Sequence, residues 1–146
     1  MSARAQHQTG LLDTNTLVLL PRLYDPELLP EEPLISVVTL AELSVGPLIA
    51  TTASERRSRQ AVLQQAEADF DPLPFDSAAA RAFGRVAASL RRAGRKPRAR
   101  SYDAMIAAIA VANDLPLYTC NPSDFKGVDG LVVVAVPHPE ATERKR

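Results

Sequence analysis

The chain has 146 residues, the length of one ordinary domain, and 46% hydrophobic with 23% charged residues is a globular composition, not a disordered or fibrous one. Cys120 is the single cysteine, and His7 and His138 are the two histidines, which excludes an internal disulfide and a cysteine–histidine zinc site. Seventeen basic residues balance seventeen acidic ones, which argues against a general polyanion-binding protein.

The sequence carries no signal for a membrane or for export. Residues 1–10 are polar and lack the apolar core of a secretory signal, and no apolar run approaches the roughly 20 residues that span a bilayer. We therefore expect a cytoplasmic protein without membrane contact. The predicted organisation is a flexible extension at residues 1–9, one domain at residues 10–136 and a flexible tail at residues 137–146.

Short apolar runs alternate with stretches of helical periodicity along the chain. The predicted elements of the first half are a strand at residues 10–13, a helix at 14–24, a loop at 25–33, a strand at 34–38, a helix at 40–50 and a helix at 52–70. Pro21 interrupts the first helix, and Thr39 caps the second. The inner face of the third helix carries Ala61, Val62, Ala66 and Phe70. The predicted elements of the second half are a strand at 72–75, a helix that begins near Asp76 and ends at Gly94, a buried helix at 103–113, a strand at 115–119, a polar turn region at 121–130 and a strand at 131–136.

This alternation determines the expected fold class. Strands that alternate with helices predict an α/β protein, with a parallel sheet of about five strands that is covered on both faces. In such sheets ligands bind beyond the carboxyl ends of the strands, near a switch in strand order. We therefore expect the functional residues at that edge of the sheet.

Acidic side chains from remote parts of the sequence fall at this edge. Asp13 ends the first predicted strand, and Glu42 lies near the start of the helix after the second. Asp103 opens the apolar helix, while Asn121 and Asp124 follow the fourth strand. Four carboxylates can therefore converge at the edge of one sheet.

Converging carboxylates repel one another and lose hydration, so they need a cation or shared protons to coexist. Oxygen ligands without a nearby histidine favour Mg²⁺ or Mn²⁺ over zinc. Such an ion activates water and neutralises charge on a reacting phosphate. The pattern thus indicates metal-assisted phosphodiester hydrolysis.

Each acid also has a purely structural interpretation. Asp13 can cap the next helix, and Glu42 and Asp103 can stabilise a helix through its dipole. Asp103, however, begins a helix with almost no other polar side chain to keep it solvated. Asp76 precedes a predicted helix in the same way, and we interpret it as a cap only.

Between residues 81 and 100 the chain is basic without a single acidic residue. The cations there are Arg81, Arg85, Arg91, Arg92, Arg95, Lys96, Arg98 and Arg100. This segment is either a solvated surface or a surface that contacts phosphates or a protein partner. Arg98 and Arg100 are the best candidates for contact, because they lie within five residues of Asp103.

Four short motifs together resemble a known family. They are L-L-D-T-N at residues 11–15, T-L-A-E-L at 39–43, Y-D-A-M-I-A-A-I-A at 102–110 and T-C-N-P-S-D-F at 119–125. In order and spacing they resemble the motifs of PIN-domain ribonucleases, and more narrowly those of the VapC toxins of type II toxin–antitoxin pairs. The resemblance runs from about Gly10 to Val136.

The resemblance implies a PIN-domain-like three-layer α/β/α sandwich and an Mg²⁺- or Mn²⁺-dependent endoribonuclease. It also implies a homodimer that a VapB-type antitoxin inhibits. Carried over by position, Asp13, Glu42 and Asp103 match the acids that hold the metal, and Asn15 and Thr119 match supporting polar residues. Many relatives have an acid where Asn121 stands here, and this chain offers Asp124 three residues later, so either residue can fill the fourth position.

Other classes of protein share parts of this pattern. D-T-N-T at residues 13–16 approaches the D-x-D-x-T motif of doubly wound phosphatases, but Asn15 stands where their proton-donating acid is needed. A receiver domain needs a late lysine directly after a strand, and neither Lys96 nor Lys126 has that position. A non-catalytic module that binds RNA or a partner on the same fold remains open.

Overall fold

The computed structural model of the chain describes residues 7–23, 25–96 and 100–140. Within these residues the elements are β1 (Thr9–Leu12), α1 (Thr14–Leu19), β2 (Glu32–Leu34), α2 (Val37–Leu48), α3 (Ala53–Asp69), α4 (Ser77–Arg92), α5 (Ser101–Ala112), β3 (Leu117–Thr119) and β4 (Val133–Ala135). Short 3-10 turns lie at Leu20–Arg22, Pro26–Leu28 and Pro122–Phe125.

The described strands form one parallel sheet in the order β2-β1-β3-β4. Successive residues of a strand point to opposite faces, and both faces are covered here. Leu11 packs into a core cluster with residues of α4 and α5, whereas Leu12 packs into a second cluster with residues of α1, α2 and α3. The predicted α/β class and three-layer sandwich are confirmed.

The sheet has four strands in the described residues, and the predicted strand at residues 72–75 is wrong. Only Leu73 pairs there, as an isolated bridge with Ser36. The Leu73 amide donates to the Ile35 carbonyl at 2.9 Å, and the Val37 amide donates to the Leu73 carbonyl at 2.9 Å. Prolines at 72 and 74 supply no amide hydrogen, so the pairing cannot continue in either direction.

The predicted boundary between the second strand and its helix is also wrong. The strand is Glu32–Leu34, and Val37 and Val38 belong to α2. Ser36, not Thr39, caps this helix, because its hydroxyl accepts from the Thr39 amide at 3.3 Å. The hydrogen bond to the cap outweighs the strand propensity of the β-branched residues.

Two helices differ from prediction in detail. The first is α-helical only to Leu19 and continues as a 3-10 turn that contains Pro21, as expected of a proline that interrupts helical hydrogen bonding. In α3 only Ala66 is fully buried, and Ala61, which was predicted on the inner face, is exposed.

Some residues of the predicted flexible extension (1–9) and tail (137–146) contact the rest of the described chain. The Glu31 amide donates to the His7 carbonyl at 3.2 Å, and the Glu32 amide donates to the Gln8 carbonyl at 2.7 Å. Near the other end, Pro139 is fully buried. Residues 1–6 and 141–146 lie outside the described residues. In the described part of the chain, no helix has both the length and the apolar character needed to cross a membrane.

Candidate active site

The carboxyl ends of β1 and β3 lie side by side where the strand order switches. The connection from β1 leads to β2 on one side of β1, while β3 pairs on its other side. Asp13 follows β1, and Thr119 ends β3. The helix α2 begins soon after β2 ends, and Asp103 in the first turn of α5 interacts through its charge with Asp13, so both helices begin at this edge. We call this edge the acidic rim.

Asp13 is the most buried carboxylate of the rim, with 4% of its surface exposed. Its Oδ1 accepts from the Thr16 amide at 3.2 Å, so Asp13 does cap α1. Its Oδ2 accepts from the Thr119 hydroxyl at 2.8 Å. Burial raises the pKa of Asp13, and the donors Thr16 and Thr119 oppose that rise. A cap alone needs no bond across the sheet, so the cap interpretation is incomplete.

Glu42 lies in the second turn of α2, since that helix begins three residues earlier than predicted. A carboxylate there gains less from the helix dipole than one in the first turn. The Thr14 hydroxyl donates to Glu42 Oε1 at 2.7 Å and lies 3.0 Å from the Thr39 hydroxyl. This contact between α1 and α2 directs Glu42 toward the rim.

Asp103 lies in the first turn of α5, and Asp124 lies in the 3-10 turn that follows β3. The pKa of Asp103 is raised to about 6, chiefly by burial and then by the charges of Asp124, Asp13 and Glu42, in that order. The four predicted acids are therefore close enough to act on one another. The fold brings together residues that lie far apart in sequence.

The other predicted residues have different surroundings. Thr119 is buried and also accepts from the Asn121 amide at 2.9 Å. Asn15 is exposed, and its side chain makes no hydrogen bond within the described residues. Arg100 donates to Asp124 Oδ1 at 3.0 Å, so it lies at the rim itself. Arg98 lies outside the described residues.

Sequence reasoning missed two threonines that organise the rim. Thr16 is fully buried, and its hydroxyl accepts from the Cys120 amide at 3.0 Å, which joins α1 to the end of β3. Thr14 orients Glu42. The signal was the alternation T-N-T at residues 14–16, where small hydroxyl side chains follow an acid at a strand end.

The donor set fits a hard divalent cation. Carboxylates from four parts of the chain gather at the rim, and carboxylate oxygens are ligands that Mg²⁺ and Mn²⁺ prefer. In the part of the chain that the structure describes, no three acidic, histidine or cysteine side chains close around a single point. Each of Asp13, Glu42 and Asp124 instead accepts from a protein donor.

Comparison with known proteins establishes the family. A model of the PIN domain matches residues 11–131. The chain belongs to the PIN-domain family. The prediction from the four motifs is therefore confirmed.

Two relatives of this PIN domain are similar to it over most of its length. The chain is 40% identical over 129 residues to Ribonuclease VapC5 of Mycobacterium tuberculosis (strain ATCC 25618 / H37Rv), across 87% of this chain and 93% of the relative. It is 33% identical over 102 residues to Ribonuclease VapC4 of the same strain, across 70% and 75% of the two chains. Both relatives are named as ribonucleases.

A solved structure agrees with the sequence comparison. The PIN domain superposes on a chain of VapBC-5 from Mycobacterium tuberculosis, a member of the VapBC family of toxin–antitoxin systems. The TM-score is 0.76 at 35% identity, and the match covers 88% of this chain and 99% of the other.

Proposed function

We propose that this PIN domain is the toxin of a type II toxin–antitoxin pair and acts as a divalent-metal-dependent endoribonuclease. The observation that carries the proposal is the convergence of Asp13, Glu42, Asp103 and Asp124 at one rim. The charges of the other three acids raise the pKa of Asp103 there. The names of the ribonuclease relatives give the substrate class, RNA.

Asp13, Glu42 and Asp103 would hold Mg²⁺ or Mn²⁺, with Asp124 or Asn121 as the fourth position. A bound divalent ion supplies a Lewis acid that activates water and neutralises charge developing on the phosphate. The chain's own residues fix the donors. Thr16 and Thr119 orient the two oxygens of Asp13, and Thr14 orients Glu42.

The reaction is the hydrolysis of a phosphodiester bond. A water oxygen bonds to phosphorus, one phosphorus–oxygen ester bond breaks, and the leaving oxygen takes up a proton. Repulsion between the phosphates and the acidic rim must be countered by cations. We assign this role to the basic segment before α5, with Arg98 and Arg100 as the candidate contacts.

The proposed partners follow from the relatives. VapBC-5 is described as a member of a toxin–antitoxin family, and we propose a VapB-type antitoxin as the inhibitor of this chain. We also propose a homodimer in the cytoplasm. Leu48 and Ile49, at the end of α2, are 85% and 65% exposed and offer apolar surface for contact between proteins.

The experiment that tests the function compares two aspartates with the same helix-capping geometry. Asp13 and Asp76 each accept a hydrogen bond from the amide three residues later, at 3.2 and 2.9 Å. Asparagine caps a helix about as well as aspartate. Asp13→Asn should therefore remove divalent-dependent cleavage of RNA, by a factor of about 100 or more, while Asp76→Asn keeps wild-type cleavage.

Cleavage is measured on purified proteins with a labelled RNA in Mn²⁺ and in EDTA. Glu42→Gln and Asp103→Asn should lose activity together with Asp13→Asn. Cleavage by Asp13→Asn at the wild-type rate would exclude the mechanism. RNA binding without cleavage by the wild-type protein in Mn²⁺ would favour the non-catalytic binding module instead.

A further inference from the structure

Arg100 forms an ion-pair centre inside the acidic rim. Its Nη1 lies 3.0 Å from Asp124 Oδ1 and 4.0 Å from Asp103 Oδ2. The three side chains are 36%, 33% and 34% exposed, so their charges are only partly solvated. One guanidinium thus joins two acids that belong to separate elements of the fold.

The helix itself does not explain this position. Arg100 is the residue directly before α5, and its side chain makes no capping hydrogen bond. The amino end of a helix carries partial positive charge and disfavours a cation. The attraction that keeps Arg100 there therefore comes from the carboxylates of Asp103 and Asp124.

The charge of Arg100 neutralises only part of the negative charge of the rim. Arg100 lowers the pKa of Asp103, but burial and the three neighbouring acids outweigh it, and the pKa remains raised to about 6. Arg100 brings one positive charge to Asp124 and Asp103, while Asp13 and Glu42 add two further carboxylates to the same rim. The carboxylates retain affinity for a cation of higher charge.

We propose that Arg100 is an internal counter-ion that competes with the divalent cation for Asp124 and Asp103. This inference rests on the proposed function, because it assumes that the rim binds a divalent ion. Arg100 releases Asp124 when that ion binds, so part of the binding free energy is spent on breaking the ion pair. Arg100 thereby sets the concentration of metal that the nuclease requires.

The size of the effect follows from the exposure of the pair. Ion pairs that are partly open to solvent contribute at most about 1 kcal/mol, which is roughly fivefold in an equilibrium constant. Removal of the guanidinium also removes its repulsion of the incoming ion. We therefore expect Arg100→Gln to bind Mn²⁺ about threefold to tenfold more tightly than the wild type.

Calorimetric titration of the purified full-length chain with Mn²⁺ tests this expectation. Arg57→Gln is the matched control, because Arg57 is exposed near the start of α3, which follows the end of α2 and lies away from the rim. Its Kd for Mn²⁺ should equal that of the wild type. Arg100→Lys keeps the charge without the planar guanidinium and should bind with an intermediate Kd.

A second pair of variants tests whether Arg100 changes the Kd for Mn²⁺ through its ion pair with Asp124. In an Asp124→Asn background the ion pair is already weakened, so the additional change Arg100→Gln should alter the Kd less than it does in the wild type. Circular dichroism of each variant reports whether it folds. If Arg100→Gln does not fold, Arg100→Lys carries the comparison with Arg57→Gln.

The outcomes separate the two proposals. Equal or weaker Mn²⁺ binding by folded Arg100→Gln, with measurable binding by the wild type, overturns the competition and leaves the nuclease proposal intact. Absence of Mn²⁺ binding by the wild type at millimolar concentration overturns the metal-dependent function itself. Tighter binding by Arg100→Gln, with no change in Arg57→Gln, supports the competition.

Discussion

Asp103 bears a charge that the folded chain disfavours. Its carboxylate is partly buried and faces the charges of Asp124, Asp13 and Glu42, which together with burial raise its pKa from 3.8 to about 6. The folded protein therefore holds this proton more tightly than the unfolded chain does. Stability associated with Asp103 is present below pH 4 and is lost as the pH rises through about 6.

Asp103→Asn should consequently stabilise the metal-free protein while it removes activity. With allowance for solvent screening the gain is about 1 kcal/mol, or a rise in Tm of about 2–4 °C at pH 7.5. Thermal unfolding in EDTA between pH 4 and 8 measures it. The difference between the two proteins should shrink as the pH falls from 6 toward 4, because protonation of the folded wild-type carboxyl removes its unfavourable charge. A pH-independent difference would contradict the assigned cause.

At the scale of elements, the segment after α4 packs against the loop between β3 and β4. Arg92 pairs with Asp129 at 2.8 Å, and Arg95 donates to the carbonyls of Ser123 and Lys126 at 2.8 and 2.9 Å. Arg92 and Arg95 therefore hold the loop that carries Asp124 against the end of α4. The sequence alone predicts only a solvated or a ligand-binding surface for these cations, because it does not show the loop that they contact.

Gly127 lies against Ala93, the residue directly after α4. Its φ is +90°, and a Cβ added there would lie 2.8 Å from the Cβ of Ala93. Gly130 has a similar φ of +79°, but a Cβ there would meet no atom within 4 Å. The two glycines thus share the backbone conformation and differ in the contact.

Gly127→Ala should destabilise the protein more than Gly130→Ala does. Both changes strain the backbone by about 1 kcal/mol or more, and only the first also forces the two segments apart. Urea unfolding of both variants measures the difference. The additional change Ala93→Gly should recover part of the loss in Gly127→Ala and nothing in Gly130→Ala. Equal losses in the two single variants would show that the segments do not press together.

At the scale of the whole molecule, the acidic rim concentrates like charge at one edge of a sheet whose two faces are apolar cores. A ligand that binds only the folded state stabilises it in proportion to the logarithm of its concentration. A divalent ion at the rim has this property, because the unfolded chain does not bring the four acids together.

Mn²⁺ should therefore raise the Tm of the wild type progressively. At a Mn²⁺ concentration a hundred times its Kd, the free energy of unfolding should increase by about 2.7 kcal/mol. Potassium chloride at equal ionic strength should not reproduce the rise. Asp13→Asn should lose the response, and Asp76→Asn should keep it. A Tm that responds equally in both variants would locate the bound ion elsewhere.

The sequence alone determined much of the fold and the candidate site. Helical periodicity and apolar runs predicted the order of helices and strands, because burial of one face imposes these patterns locally. Strand ends marked by Asp13 and Asp124, and helix starts near Glu42 and Asp103, placed the acids at one edge, since parallel strands share their direction. Four motifs in order indicated the PIN-domain family, which is confirmed.

Only the tertiary structure decided how those residues are used. The strand at residues 72–75 failed because two prolines limit its pairing to Leu73. Ser36 displaced Thr39 as a cap, and Thr39 instead meets Thr14 from another helix. Arg100 pairs with Asp124 at 3.0 Å. The prolines at 72 and 74 and the Ser36 cap act locally. The contacts of Thr39 with Thr14 and of Arg100 with Asp124 join parts of the chain that are remote in sequence, and no local pattern encodes them.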